Sequence, residues 1–315
     1  MDGLFYWLIN MSIAGTAAGL IVLLIRSVKR LPRRAAALMW LFPMIRAVIP
    51  VSVAGKYNLN SLLALFRGKT VYFTDPFITM TNHVSFAESY FPLTFPGEIR
   101  AINVNGNYIT VGRSVWSRVF SVGFIVWAVV AAALILTMAV IYFMTVRELK
   151  DAVLLRDNVY LSDKITSPAV YGIFRPRIIL PAEYKDKEIN YIIMHETAHI
   201  RHGDNFWRML GFLVAAIHWF DPLAWIFLKV GLSDLELACD ERVLKKLDAD
   251  GRKQYALALV DAARPKNVFV SAFGGAKLRT RVENVLSYRK MSAAACVGLA
   301  ALVAAVAYVL LTNAA

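Results

Sequence analysis

Two histidines stand four residues apart in Met194-His195-Glu196-Thr197-Ala198-His199, with a carboxylate immediately after the first. On a helix, positions i and i+4 share a face, so both imidazoles can reach one metal ion while Glu196 points at the ion's open coordination position. The chemistry served by this spacing is zinc-dependent hydrolysis, in which three protein ligands hold the ion and water takes the fourth position. His195 and His199 supply two ligands, and Glu236, further along the chain, is the best candidate for the third. Glu196 is then the general base, taking a proton from water and passing it to the leaving amine, while the ion acidifies the water and polarises the scissile carbonyl. Asp240 lies one helical turn beyond Glu236 and is suited to orienting a ligand imidazole through its other ring nitrogen; Asp204, just past the motif, competes for that role.

These side chains need rigid elements to carry them. Residues 187–202 have apolar spacing at Ile189, Ile192 and Ile193 and a natural stop at Gly203, which predicts a helix with the motif in its last two turns. Residues 233–247 predict a second helix, with Ser233 as N-cap and Glu236 at N3; in that capping-box pattern Glu236 has an alternative role as a cap. The apolar stretch 208–229 is interrupted by His218, Asp221 and Pro222, and one crossing of a bilayer there would separate the ligands. It therefore reads as a helix pair lying against or dipping into the membrane. Upstream, 159–161, 169–171 and 177–180 read as short strands. Pro176 and Pro181 at both ends of the third mark it as an edge strand, whose residues Arg177, Ile178, Ile179 and Leu180 could hold an extended substrate by main-chain pairing; a plain structural hairpin is the alternative. His202 reads as a solvent-facing residue or one that supports a ligand, His218 as a packed or interfacial residue, and Cys239 as a small buried residue with a soft metal ligand as its alternative.

The whole chain of 315 residues is 58% hydrophobic and 18% charged, too apolar for an ordinary soluble domain. Its net charge of +13 is scattered among carboxylates with no aromatic-interleaved basic stripe, which argues against direct nucleic-acid binding. Cys239 and Cys296 lie in unlike contexts and imply no disulfide framework. Residues 4–25 carry no charge and are followed by Arg26, Lys29, Arg30, Arg33 and Arg34, so this anchor places the N-terminus outside. A weaker second span, 35–53, is interrupted by Pro43, Arg46 and Pro50; a third is apolar from 119 to 144, and a fourth runs from 292 to 311. The resulting organisation is 1–53 for the first two spans and their basic connector and 54–117 for an external loop containing a lone histidine, His83. The third span then occupies 118–144, the cytoplasmic catalytic domain 145–290, and the last span with an external C-terminus 291–315.

Several blocks together resemble the BlaR/MecR family of antibiotic-sensing membrane metallopeptidases: Asn10-Met11-Ser12-Ile13-Ala14-Gly15, Ser167-Pro168 through Pro176, Leu180-Pro181, the His195 motif, His218-Trp219-Phe220-Asp221-Pro222-Leu223 and Glu236-Leu237-Ala238-Cys239-Asp240-Glu241. The resemblance covers nearly all the chain. It implies a mainly α membrane protein with four transmembrane helices and a cytoplasmic α+β gluzincin-like protease domain, with one Zn2+ on His195, His199 and Glu236. It further implies a bacterial plasma-membrane location and a protein substrate such as a DNA-binding repressor, and a homodimer is compatible with it. Family receptors are linked to self-cleavage after the second site helix, where Ala272 and Phe273 lie in a flexible apolar stretch. They also carry a penicillin-binding sensor after the fourth span; this sequence has none, so a stand-alone form that receives its signal elsewhere is expected. A prenyl-protease-like or quality-control enzyme shares the ligand pattern, and a scaffold with a structural metal site is the non-catalytic alternative.

Overall fold

The computed structural model describes residues 2–28, 31–49, 53–54, 101–104, 107–110, 115–185, 188–262, 278–288 and 293–313. His83, the greater part of the expected external loop, and Ala272 and Phe273 lie outside them. The chain is mostly helical with a small sheet and divides into two compact units.

The first unit comprises Met1–Leu24, Leu41–Ala133 and Ala301–Ala315. Helix α1 (Asp2–Arg26) packs closely on α3 (Leu41–Val48) at Gly15, where a Cβ would meet the Ala47 Cβ at 3.1 Å and the Pro43 carbonyl at 3.3 Å. Over the expected second span the chain forms two short helices, α2 (Arg33–Met39), which belongs to the second unit, and α3, with a turn at Trp40. Pro43 has no N–H to donate back to Met39, which removes a helical bond where the break falls. The unit also holds the antiparallel hairpin β2 (Ala101–Val104) and β3 (Asn107–Thr110), and the parallel pair β1 (Val53–Ala54) and β8 (Thr312–Asn313).

Among the described residues, Leu8–Arg26 and Ser121–Asp151 are long and apolar enough to cross a bilayer, and Cys296–Leu311 is a shorter apolar helix. Helix α4 (Val115–Glu148) is apolar all round, and Val122, Val129, Leu136 and Phe143 are each 60–68% exposed. A soluble helix hides one apolar stripe; one that is apolar on every side and uncovered suits a lipid solvent.

The second unit, Ile25–Trp40 with Leu134–Ala300, carries the chemistry. Its sheet has the order β4-β5-β7-β6, formed by β4 (Val153–Arg156), β5 (Val159–Ser162), β6 (Ala169–Tyr171) and β7 (Arg177–Pro181). Strand β7 is thus interior, parallel to β5 and antiparallel to β6, and residues 178–181 are buried. This corrects the edge-strand expectation for Arg177, Ile178, Ile179 and Leu180: Ile178 and Ile179 are paired on both sides, Arg177 with β6 and Leu180 with β5, so the strand runs between two neighbours rather than along an open edge. The flanking prolines misled because Pro176 precedes the strand and Pro181 closes it, places where a missing N–H costs little.

The motif helix α5 (Asn190–His202) is held from two directions. Ile189 and Ile192 join Val159, Val170, Ile178 and Leu180 of the sheet in one core, while Tyr191, Met194 and Ala198 face a second core. Val243, Leu244, Tyr255, Leu259 and Val285 form that second core, from α7 (Pro222–Leu244), α8 (Ala249–Asp261) and α9 (Leu278–Leu286). Between α5 and α7 runs α6 (Asp204–Ile217), so 208–229 is a helix pair as its sequence predicts. Helix α7 is continuous from Pro222 through Leu244. Asp221 caps it by accepting from the Leu223 N–H at 2.9 Å, so Ser233 caps nothing and Glu236 is free of the capping role.

Candidate metal centre

His195 and His199 are buried on α5, and their Nε2 atoms stand 3.1 Å apart. The other nitrogen of each ring is fixed. His199 Nδ1 lies 2.6 Å from Asp204 Oδ2, and His195 Nδ1 lies 2.8 Å from the Tyr255 hydroxyl, which donates to Asp240 Oδ1 at 2.6 Å. With Nδ1–H donating outward in each ring, both Nε2 lone pairs are left facing the same space. Asp204 and Asp240, which sequence placed in competition, each serve a different histidine.

Glu236 and Asp240 reach this space from one face of α7. Arg208 on α6 holds Glu236 Oε1, which turns Oε2 toward the histidines, 3.6 Å from His195 Nε2 and 3.7 Å from His199 Nε2. A point equidistant from these three atoms lies about 2.0 Å from each, the length of a zinc bond to imidazole nitrogen or carboxylate oxygen. The donor set and its spacing therefore fit a zinc ion. Cys239 is buried beside them; its thiol donates to the His195 carbonyl at 3.3 Å, and with His195 and His199 it forms a second group of metal-ligating type, all ligand atoms within 4.8 Å.

The electrostatics favour a cation. Burial would push the Glu236 carboxyl up, but Arg208 and His199 outweigh it and hold it well below the usual carboxylate range. Burial would push the Asp240 carboxyl up too, and Arg281 holds it low instead. For the His199 imidazole, burial favours the neutral form and is overcome by Glu236 and Asp204, so it is pushed up to about 10. In the metal-free protein the proton supplies the positive charge that these carboxylates call for.

Gly203 ends α5 in the left-handed conformation (φ 64°), with its N–H returning to the His199 and Ile200 carbonyls. That turn places Asp204 under His199 and Asn205 beside the sheet. The Asn205 amide donates to the Val170 and Gly172 carbonyls, at 3.0 Å each. Because the Ile178 N–H is turned to Asn158 of the preceding segment, Val170, its partner in β6, directs its main-chain groups away from β7. Asn205 therefore occupies part of the outer edge of β6. Glu196 is buried on α5, and the Tyr171 hydroxyl at the end of β6 has its pKa raised by burial and then by the Glu196 charge.

Of the expected site residues, His195, His199, Glu236, Asp240 and Asp204 converge, and Arg177 to Leu180 do not. His202 is exposed and His218 buried. Tyr255, Arg208 and Arg281 were not singled out from sequence; their positions, 60, 28 and 41 residues from the groups they contact, carry no spacing signal.

The profile of the family described as BlaR1 peptidase M56 matches residues 6–285. The methicillin resistance mecR1 protein of Staphylococcus aureus is 31% identical over 114 residues, covering 35% of this chain and 20% of that protein. Regulatory protein BlaR1 of Bacillus licheniformis is 33% identical over 104 residues, 31% of this chain and 17% of its own length. The S. aureus regulatory protein BlaR1 is 27% identical over 135 residues, 39% and 23% respectively. These alignments span under a quarter of the relatives they match.

Proposed function

Because the chain belongs to the BlaR1 peptidase M56 family, we propose that it is a membrane-embedded zinc endopeptidase of gluzincin type that cleaves a cytoplasmic protein in signal-regulated proteolysis. In this reading four helices anchor the protein in the bacterial plasma membrane, with both termini outside and 145–290 inside. The substrate class is a protein such as a DNA-binding repressor. The observation that carries the reading is the convergence of His195 Nε2, His199 Nε2 and Glu236 Oε2, with Glu196 buried on the same helix as the two histidines.

His195, His199 and Glu236 would hold the ion. Glu236 suits the third position better than Cys239, since its oxygen is nearly equidistant from the two nitrogens and the thiol proton is already given to the main chain. Bound there, zinc supplies Lewis acidity, polarising a carbonyl and acidifying water. The remaining work falls to the chain. Asp204 and the Tyr255–Asp240 pair keep both imidazoles in the ligating tautomer, and Arg208 keeps Glu236 turned inward. Glu196 accepts a proton from the attacking water and gives it to the leaving amide nitrogen. The strand lining the substrate is β6, whose Tyr171 neighbours Glu196, with Asn205 fixing that strand in place.

The test is Glu196→Gln in detergent-solubilised full-length protein, with β-casein cleavage followed by mass spectrometry and metal content measured in parallel. We expect about one zinc retained per chain and cleavage reduced roughly 10²–10⁴-fold. Undiminished cleavage by this variant would overturn the assignment.

A further inference from the structure

Arg281 belongs to no motif that drew attention in the sequence, yet its guanidinium lies within the candidate metal centre. It reaches in from α9, with 14% of its side chain exposed. Its Nε and Nη2 grip Asp240 in a bidentate pair, at 2.8 Å to Oδ2 and 2.7 Å to Oδ1. From that hold, Nη2 lies 3.1 Å from His195 Nε2, the nitrogen that faces the ligand space. Nη1 lies 3.8 Å from Glu236 Oε2, beyond hydrogen-bond reach, and no hydrogen bond from Nη1 is found among the described residues.

A guanidinium has five N–H donors in one plane. Asp240 takes those on one edge, which fixes the plane, sets Nη2 against His195 and leaves the Nη1 pair on the side of Glu236. An arginine serving only as a counter-ion to Asp240 has no need to bring its far edge to the space where the three ligand atoms converge. The other arginine of the site, Arg208, is engaged on Glu236 Oε1.

We propose that Arg281 is a catalytic residue of the endopeptidase, donating from Nη1 to the scissile carbonyl oxygen as negative charge gathers there. This rests on the endopeptidase reading above. In the first step the water oxygen bonds to the carbonyl carbon, the carbonyl π pair moves onto oxygen, and the water proton goes to Glu196. In the second, that pair returns, the C–N bond breaks, and the nitrogen takes the proton from Glu196. The charge on oxygen exists only between the two steps, and a rigidly held donor that needs no reorganisation stabilises it selectively.

The experiment uses full-length protein in detergent with three readouts: β-casein cleavage, zinc content, and the affinity of a phosphinic peptide, which mimics the tetrahedral state, against that of the matching amide peptide in a Glu196→Gln background. For R281Q we expect kcat to fall about 10²–10³-fold with KM changed less than about threefold, zinc retained, and phosphinic-peptide affinity lost by a similar factor while amide-peptide affinity stays. R281K, which keeps the charge and a contact to Asp240, should recover part of both losses and guards against a folding defect in R281Q. Wild-type phosphinic-peptide affinity in R281Q, or loss of zinc in step with activity in both variants, overturns the assignment, the latter because Arg281 would then act only through Asp240. Casein cleavage by wild type but equally by R281Q defeats this assignment alone. A zinc-loaded wild type that cleaves nothing defeats the endopeptidase reading and this one with it.

Discussion

Helix α7 has two polar faces, and they bury charge in similar ways to different ends. On one, Glu236 and Asp240 meet Arg208 and Arg281. On the other, Asp234 accepts from Arg26 at 2.6 Å and from the Trp40 indole at 2.9 Å, and Glu241 accepts from the Arg34 side chain at 2.9 Å and its backbone N–H at 3.2 Å. Asp234 is fully buried, and Trp40 stacks over Gly231 and Phe227. Both faces thus pair carboxylates with arginines under low exposure. The difference lies in what is left over. On the Arg26–Arg34 face the donors meet the carboxylates directly, Asp234 through Oδ2, whereas the Glu236 face brings one carboxylate oxygen and two imidazole nitrogens to a common point, where the His199 proton supplies the positive charge in the metal-free protein. Buried ion pairs are structural by default, and converging lone pairs are what mark a site for a cation.

That contrast can be broken experimentally, beginning with the largest effect. Glu236→Ala or His199→Ala should leave zinc content near zero after dialysis and abolish casein cleavage while the fold survives; retained zinc would pass the third position to Cys239. Asp234→Ala should do the reverse, costing about 3–5 kcal/mol in unfolding free energy because Arg26 and the Trp40 indole lose their buried acceptor, with zinc affinity per folded molecule unchanged. Tyr255→Phe and Asp204→Asn leave the three ligand atoms in place and disturb the outer nitrogens, and they should weaken zinc binding about 10–100-fold, read by chelator competition. Arg34→Ala removes a pair whose arginine is a third exposed, and denaturant melts should shift by about 1 kcal/mol or less.

Protons offer a gentler probe of the same contrast. The metal-free His199 pKa of about 10 lies above neutrality, so at pH 7 a zinc ion must displace its proton. Zinc addition in weak buffer should release protons, and apparent affinity should rise as pH climbs from 7 toward 10. A pH-independent affinity would contradict the raised imidazole.

How much of this was legible beforehand depended on distance along the chain. The motif, its helix, the glycine stop, the three short strands and the pair Glu236–Asp240 rest on local spacing, which periodicity reports. Sheet order does not: the pattern of 177–181 is apolar whether it lies at an edge or between two strands, and only long-range pairing with β5 and β6 decides. The helix start at Ser233 was a sound capping pattern overruled by burial, since the apolar run 222–232 continues into it and packs on Trp40 and α6. Tyr255 and Arg281 are an aromatic and a basic residue on ordinary amphipathic helices. Their chemistry exists only after α8 and α9 fold back onto α5.

The turn at Gly203 acts as a ruler. From His199 to Asn205 the chain ends a helix, reverses into the next, props an imidazole with one side chain and ties down a strand with the one after it. Within that stretch, exposed positions such as Arg201 and His202 are free to vary in kind, but none can be added or removed. A single inserted residue would misplace the support under His199 and the tie to β6 together, so the segment is constrained in its length as strictly as at Gly203, Asp204 and Asn205.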